Sequence, residues 1–249
     1  MGEIYGQLMK ISVVIPAFNE ERLLSQSLAE VRRSLAGFIE PRWETELIVC
    51  DNNSTDRTTE IARESGAKVV FESINQIARA RNTGASVATG DWFIFIDADS
   101  HPSPELMRDV AEAIASGKCI AGGSTLRMEL ENWVGQFIAA GWNRVSRMRR
   151  LMAGSFIFVE AAAFRAVGGF SHELFAGEEL DLSLRLQKHG RPSGRRIVIL
   201  HRHPLLTSAR KLHLYSNWEL LRFFFKATFA HRKVLRSREA CHPWYDGRR

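Results

Sequence analysis

Trp92-Phe93-Ile94-Phe95-Ile96-Asp97-Ala98-Asp99 is a run of large apolar residues that ends in two carboxylates separated by one alanine. So short and unbroken a run reads as a strand, expected over Trp92–Asp97, buried on both faces; that is the habit of parallel sheets covered by helices. Moving outward toward the N-terminus, Ile11–Ile15, Glu46–Cys50 and Ala67–Phe71 read the same way. Helical patterns over Glu21–Ala36, Asp56–Glu64 and Gln76–Ala88 separate them. Strand–helix–strand alternation of this kind predicts crossover connections and a mainly parallel central sheet flanked by helices, an α/β fold.

Toward the C-terminus the rhythm changes. Pro104–Ser116 reads as a helix entered through Ser103 as N-cap with Pro104 at its first position. Ile120–Met128, Ser155–Glu160 and Ile197–Leu200 are further strand candidates. Leu130–Arg150, Ala161–Ala166 and Glu178–His189 are helical, and the spacing of Trp133, Phe137 and Trp142 is that of a face turned to the core. No repeat, low-complexity tract or Pro/Ser-rich linker interrupts the chain, so one domain is expected over 10–200, with halves at about 10–100 and 101–200. Residues 201–249 are expected to form a basic, helical C-terminal extension.

The 249 residues are 45% apolar and 25% charged, which excludes wholesale disorder. Cys50, Cys119 and Cys241 are too few and too scattered for a disulfide framework and read as reduced thiols. The apolar stretch Leu220–Phe229 is broken by Arg222 and Lys226, and Glu3 and Gly6 interrupt any leader pattern. These features predict a cytoplasmic protein, at most peripheral at the inner face of a membrane. Of the net charge of +6, residues 201–249 contribute +8, from 11 basic and 3 acidic side chains, and the rest of the chain is slightly acidic. That basic tail, with aromatics from Tyr215 to Phe229, suits anionic lipid or an acidic partner as well as plain solvent. The basic residues are not set among stacking aromatics on a nucleic-acid module, so no nucleic acid is expected as partner.

Ligands of open parallel sheets bind outside the carboxyl ends of the strands. The residues at those ends are Pro16-Ala17-Phe18-Asn19-Glu20, Asp51-Asn52-Asn53-Ser54-Thr55-Asp56 and Asp97-Ala98-Asp99. Alternate carboxylates at Asp97 and Asp99 place hard oxygen ligands near one point, as a divalent cation on phosphates requires. Asp51 reads either as a turn cap or, with Ser54 or Asp56 capping the next helix, as a ligand. Arg81, more than Arg79, suits a bidentate hold on phosphate or carboxylate.

Taken in order, Ser12–Glu20, Ile48–Asp56, Ala80-Arg81-Asn82-Thr83-Gly84, Asp97-Ala98-Asp99, Gly154-Ser155 and Val167-Gly168-Gly169-Phe170 resemble the family-2 glycosyltransferases, over about three quarters of the chain. The resemblance implies a GT-A type fold and transfer of a sugar from a UDP-, GDP- or dTDP-linked donor to a saccharide or lipid-linked acceptor, with inversion. It assigns Pro16, Phe18, Glu20, Asp51, Arg81 and Asp97 to the nucleotide sugar and Asp99 to Mn2+ or Mg2+, with His201 or His203 completing the metal shell. Within Gly177-Glu178-Glu179-Leu180-Asp181, Glu179 stands where the family has its aspartate base, and Asp181 competes with it. The Gln-x-x-Arg-Trp motif of processive synthases is missing from the sequence, which favours one transfer per encounter. Glutamate at the base position also admits another class, a catalytically silent nucleotide-sugar binder or scaffold of the same fold.

Overall fold

Val14 and Ile15 leave the first strand on opposite sides, and each enters a different core. The computed structural model describes residues 9–38, 43–128 and 133–207. In it β1 (Lys10–Ala17), β2 (Glu44–Asp51), β3 (Lys68–Phe71) and β4 (Trp92–Ile96) lie in the order β3-β2-β1-β4, all parallel. Between them run α1 (Leu24–Ser34), α2 (Thr58–Glu64) and α3 (Ile77–Ser86). The later elements are β5 (Ser100–His101), α4 (Pro104–Ala115), β6 (Cys119–Met128), α5 (Trp133–Arg149), β7 (Phe156–Glu160), α6 (Ala161–Ala166), α7 (Glu178–Gly190) and β8 (Arg196–Thr207).

Period-two alternation builds the two cores. On one face Ile11, Val13 and Ile15 of β1 join Leu47 and Val49 of β2 and Trp92, Ile94 and Ile96 of β4 under Leu24, Leu28 and Val31 of α1 and Leu106, Val110 and Ile114 of α4. On the other, Val14, Ile48, Phe93 and Phe95 pack on Ala78 and Ala85 of α3, Phe164 of α6, and Leu182 and Leu186 of α7. Each of these large side chains contributes roughly 1.5–3 kcal/mol by leaving water, so both helical layers are bound firmly to the sheet. α3 approaches so closely that a Cβ on Gly84 would stand 2.3 Å from Val14 Cγ1. Only glycine permits that contact.

The full order is β3-β2-β1-β4-β7-β6-β8-β5. β7 runs antiparallel to β4 and β6, and β5 antiparallel to β8, whereas β6 and β8 are parallel. The sheet is therefore parallel throughout its first half and mixed in its second. α4 starts as its sequence predicts: Leu106 N–H donates to the Ser103 hydroxyl at 3.2 Å, with Pro104 at the first position.

Three expectations need correction. β8 continues to Thr207 rather than stopping at Leu200, so the expected boundary falls inside a strand and residues 201–207 belong to the sheet. Its ladder with β6 pairs Ser124 with Leu200 and then Leu126 with Leu205, so His201–Pro204 bulge out. A bulge accommodates Pro204, which has no N–H for a ladder. The rest of the expected extension, including Tyr215–Phe229, lies outside the described residues. Next, Phe137 is 75% exposed instead of buried, and Trp142 is half-buried. α5 turns Ala139, Asn143 and Ser146 inward instead, and the Asn143 amide accepts from Leu126 N–H and donates to its carbonyl, both at 2.9 Å. Last, the two-residue β5 falls outside every expected strand, because so short a strand has no periodicity and is defined by its pairing with Leu206 and Thr207.

Candidate active site at the carboxyl edge

Ala17 of β1 pairs with Asp51 of β2, and Val14 of β1 with Phe95 of β4. Asp51 and Asp97 therefore flank the end of β1 on the same edge, two strand spacings or about 10 Å apart. The loops after β1 and β2 are joined into one rim. Asn19 and Asn53 adopt left-handed backbone (φ 52° and 67°) to make the two turns. Asn19 N–H donates to Ser54 Oγ at 3.0 Å, Thr55 N–H to Asn19 Oδ1 at 2.8 Å, and Glu20 N–H to Thr58 Oγ1 at 2.7 Å. Pro16 and Glu20 are buried in this rim and Phe18 is half-buried. Asp56 serves the start of α2 by accepting from Thr58 N–H at 3.0 Å, while Asp51, also buried, accepts from Ser54 N–H at 3.1 Å and closes its own turn.

Beneath this edge α3 inserts Arg81, which is 1% exposed. Nη2 donates to Asp97 Oδ1 and to the Gly154 carbonyl, and Nη1 donates to Glu178 Oε1, each at 2.8 Å. The Phe170 ring lies 5.2 Å from the guanidinium carbon. Burial works against the charge, yet Asp97 and Glu178 outweigh it and hold the guanidinium above its ordinary value. Of the two partners that the sequence left open, phosphate and carboxylate, the described contacts are to carboxylates. Arg79 turns aside to Gln76 Oε1 at 3.0 Å.

α7 begins at Gly177, whose φ of 74° suits glycine, and carries Glu178, Glu179 and Asp181 in its first turn, where the helix dipole favours acids. Glu178 is buried on Arg81. The Glu179 carboxyl carbon comes within 3.7 Å of the place a Cβ on Gly154 would occupy. Burial first, then the charges of Glu178 and Asp97, push the Glu179 carboxyl up to about 8 against the opposing pull of Arg81. Asp181 faces elsewhere: its Oδ2 accepts from Arg185 Nε at 2.7 Å, and Arg185 Nη1 donates to the Val167 carbonyl at 2.5 Å. Ser183 pins the turn by donating to the Glu179 carbonyl at 2.8 Å and accepting from Met152 N–H at 3.0 Å.

The segment leading into α7 is tied to α3. Gln76 Nε2 donates to the carbonyls of His172 and Leu174 at 2.8 and 2.9 Å, and Asn82 accepts from Phe170 N–H at 2.9 Å and donates to its carbonyl at 2.8 Å. Sequence reasoning assigned no role to Glu178, Asn82 or Gln76. Glu178 and Asn82 lie inside motifs already singled out, whereas nothing local marks Gln76.

Asp99 is half-buried in the turn after β4, and the next residue, Ser100, pairs with Thr207. His203 sits four residues before Thr207 in the β8 bulge. There its Nδ1 meets Asp109 Oδ2 of α4 at 3.1 Å, and Arg202 reaches Asp109 Oδ1 at 3.0 Å. His203 thus contacts Asp109 of α4, and His201 is exposed. Among the described residues no three His, Cys, Asp or Glu side chains gather as a ligand set. Asp97 and Asp99 alone still fit a cation of the Mg2+ type, which takes one or two carboxylates and completes its shell with substrate phosphates and water.

Comparison with known proteins bears on the family and the fold. The family model described as "Glycosyl transferase family 2" matches residues 12–165. A dolichol-phosphate mannosyltransferase of Pyrococcus furiosus is 34% identical over 132 residues, covering 50% of this chain and 36% of the relative. A validoxylamine A glucosyltransferase of Streptomyces hygroscopicus subsp. limoneus is 27% identical over 224 residues, covering 73% and 49%. The chain thus spans between about a third and a half of the length of these relatives. Among solved structures, a mannosyltransferase from Pyrobaculum calidifontis in complex with GDP-Man and Mn2+ superposes with a TM-score of 0.60 at 18% identity, covering 88% of this chain and 66% of that one. Staphylococcus aureus TarS in complex with UDP superposes at 0.59 with 21% identity, covering 80% and 60%.

Proposed function

The chain belongs to glycosyl transferase family 2, and from that premise we propose that it moves a sugar from a nucleoside diphosphate sugar to an acceptor hydroxyl, once per encounter and with inversion. One observation carries the proposal: the buried Arg81 links the donor-side acid Asp97, the Gly154 carbonyl and the α7 acid Glu178 into a single hydrogen-bonded unit beside Glu179. A direct displacement needs a donor and a base held at a set separation, and such a unit supplies it.

In this reading the rim of Pro16, Phe18, Glu20 and Asp51 receives the nucleoside, and Asp97 and Asp99 face the diphosphate. Mn2+ or Mg2+, when bound, supplies positive charge against the leaving diphosphate. Asp99, with Asp97 beside it, would hold that cation. Glu179 takes the proton of the acceptor hydroxyl as its oxygen bonds to the anomeric carbon; the bond to the diphosphate breaks on the opposite side of the sugar. Glutamate reaches one methylene further than the aspartate common in the family, so the acceptor oxygen sits correspondingly further from α7. A saccharide or a lipid-linked sugar would serve as the acceptor.

Calorimetry with UDP, GDP and dTDP in the presence of Mn2+, followed by turnover assays with the matching donor sugars, tests the proposal. Cation-dependent binding of one nucleotide and turnover of its sugar are expected, and Asp99→Asn should remove the cation dependence while leaving the melting temperature in place. Binding without turnover of any donor would make the chain a silent binder.

A further inference from the structure

We propose that α5 docks the protein on an anionic bilayer surface, an inference independent of the transfer chemistry. Phe137, Gly141, Arg144 and Met148 follow the i, i+4, i+7, i+11 spacing of one helix face, with Val145 at its edge. Phe137 is 75% exposed, Met148 72% and Val145 47%, an unusual display of large apolar groups on one helix. Ala139, Asn143 and Ser146 hold the opposite face on the sheet. Arg144, Arg147, Arg149 and Arg150 are all exposed, and residues 133–150 contain no Asp or Glu. Leu184 of α7, 55% exposed, lies one turn before Gln187, whose Nε2 donates to the carbonyls of Arg149 and Arg150 at 3.0 and 2.9 Å.

Charge decides the occupant. Residues 208–249 carry 10 basic and 3 acidic side chains, so laying them on this face would set like charges together. A second copy would oppose arginine to arginine in the same way. A leaflet containing acidic lipid offers both halves of the match, acyl chains for Phe137 and Met148 and phosphates for the arginines, whose stems can lie along the apolar face. α5 leads through Met152 into Gly154, which touches Arg81.

Flotation of the whole chain with phosphatidylcholine vesicles, with and without phosphatidylglycerol, tests the proposal. Binding is expected only to the anionic vesicles and should weaken as salt rises. Arg144→Gln with Arg147→Gln should lower the partition roughly 25-fold, at roughly fivefold per arginine. Phe137→Ser with Met148→Ser should weaken it as well, with melting temperature and nucleotide binding unchanged. Equal binding to neutral vesicles, or binding that these variants leave intact, would overturn the assignment. So would a dimer lost on the Phe137 change, which puts a second copy on the face, or a fall in melting temperature without a vesicle effect, which puts residues 208–249 there.

Discussion

Replacing Glu179 by glutamine keeps the side chain's length and removes its proton equilibrium. The carboxyl's ordinary value is 4.5 and the folded chain raises it to about 8. Below pH 4.5 it is neutral in both the folded and unfolded chain, so its protonation favours neither. Between 4.5 and 8 the unfolded chain releases the proton first, so wild-type stability declines as pH rises through this window. Above 8 the folded chain carries the full burden of a buried charge. At ~1.36 kcal/mol per pH unit the window sets a ceiling of about 5 kcal/mol. Part of the residue is exposed, and solvent screening there reduces the realised effect to about 1–3 kcal/mol. For a chain of this size each kcal/mol moves the melting temperature by roughly 2–4 °C. Thermal melts of wild type and Glu179→Gln should therefore coincide near pH 4.5 and separate steadily, the variant melting several degrees higher by pH 9. In parallel, wild-type turnover should rise with pH through 8 as the base form fills. The variant should lose about 10²- to 10⁴-fold of activity together with that rise. A melting difference that is flat with pH would refute the buried, raised carboxyl; undiminished turnover would refute its role as base.

Other changes probe the neighbouring groups. Arg81→Met strands Asp97 and Glu178 and should destabilise the fold by about 3–5 kcal/mol, seen as a melting temperature lower by roughly 10 °C; a melt like that of wild type would mean the buried pairs carry no weight. Asp181→Asn should hold turnover within about tenfold of wild type, because that carboxylate already pairs with Arg185; a larger loss, with Glu179→Gln still active, would make Asp181 the base. Gly84→Ala forces a methyl onto Val14 and should destabilise by about 1–3 kcal/mol in a denaturant titration. Adding Val14→Ala should recover part of that loss, and strictly additive effects would show that the two residues do not touch.

Apolar runs and caps are local properties, so the positions of β1, β2, β3 and β4, the start of α4 at Ser103 and the acidic carboxyl edge could all be read from the sequence. Parallel pairing then required Asp51 and Asp97 to share that edge, since each immediately follows, or ends, a strand beside β1. Spacing along the chain assigns a side chain to a face but not to a partner. Arg81 meets Asp97 and Glu178 across separations of 16 and 97 residues, and His203 meets Asp109 across 94, through helices brought together only when both faces of the sheet are covered. The choice between Glu179 and Asp181 is of the same kind: both lie in the first turn of α7, and only the packing of α7 against Gly154 buries one carboxyl while Arg185 engages the other. Phe137, aromatic and regularly spaced, reads as core until Asn143 hydrogen-bonds to Leu126 of β6 and turns it outward.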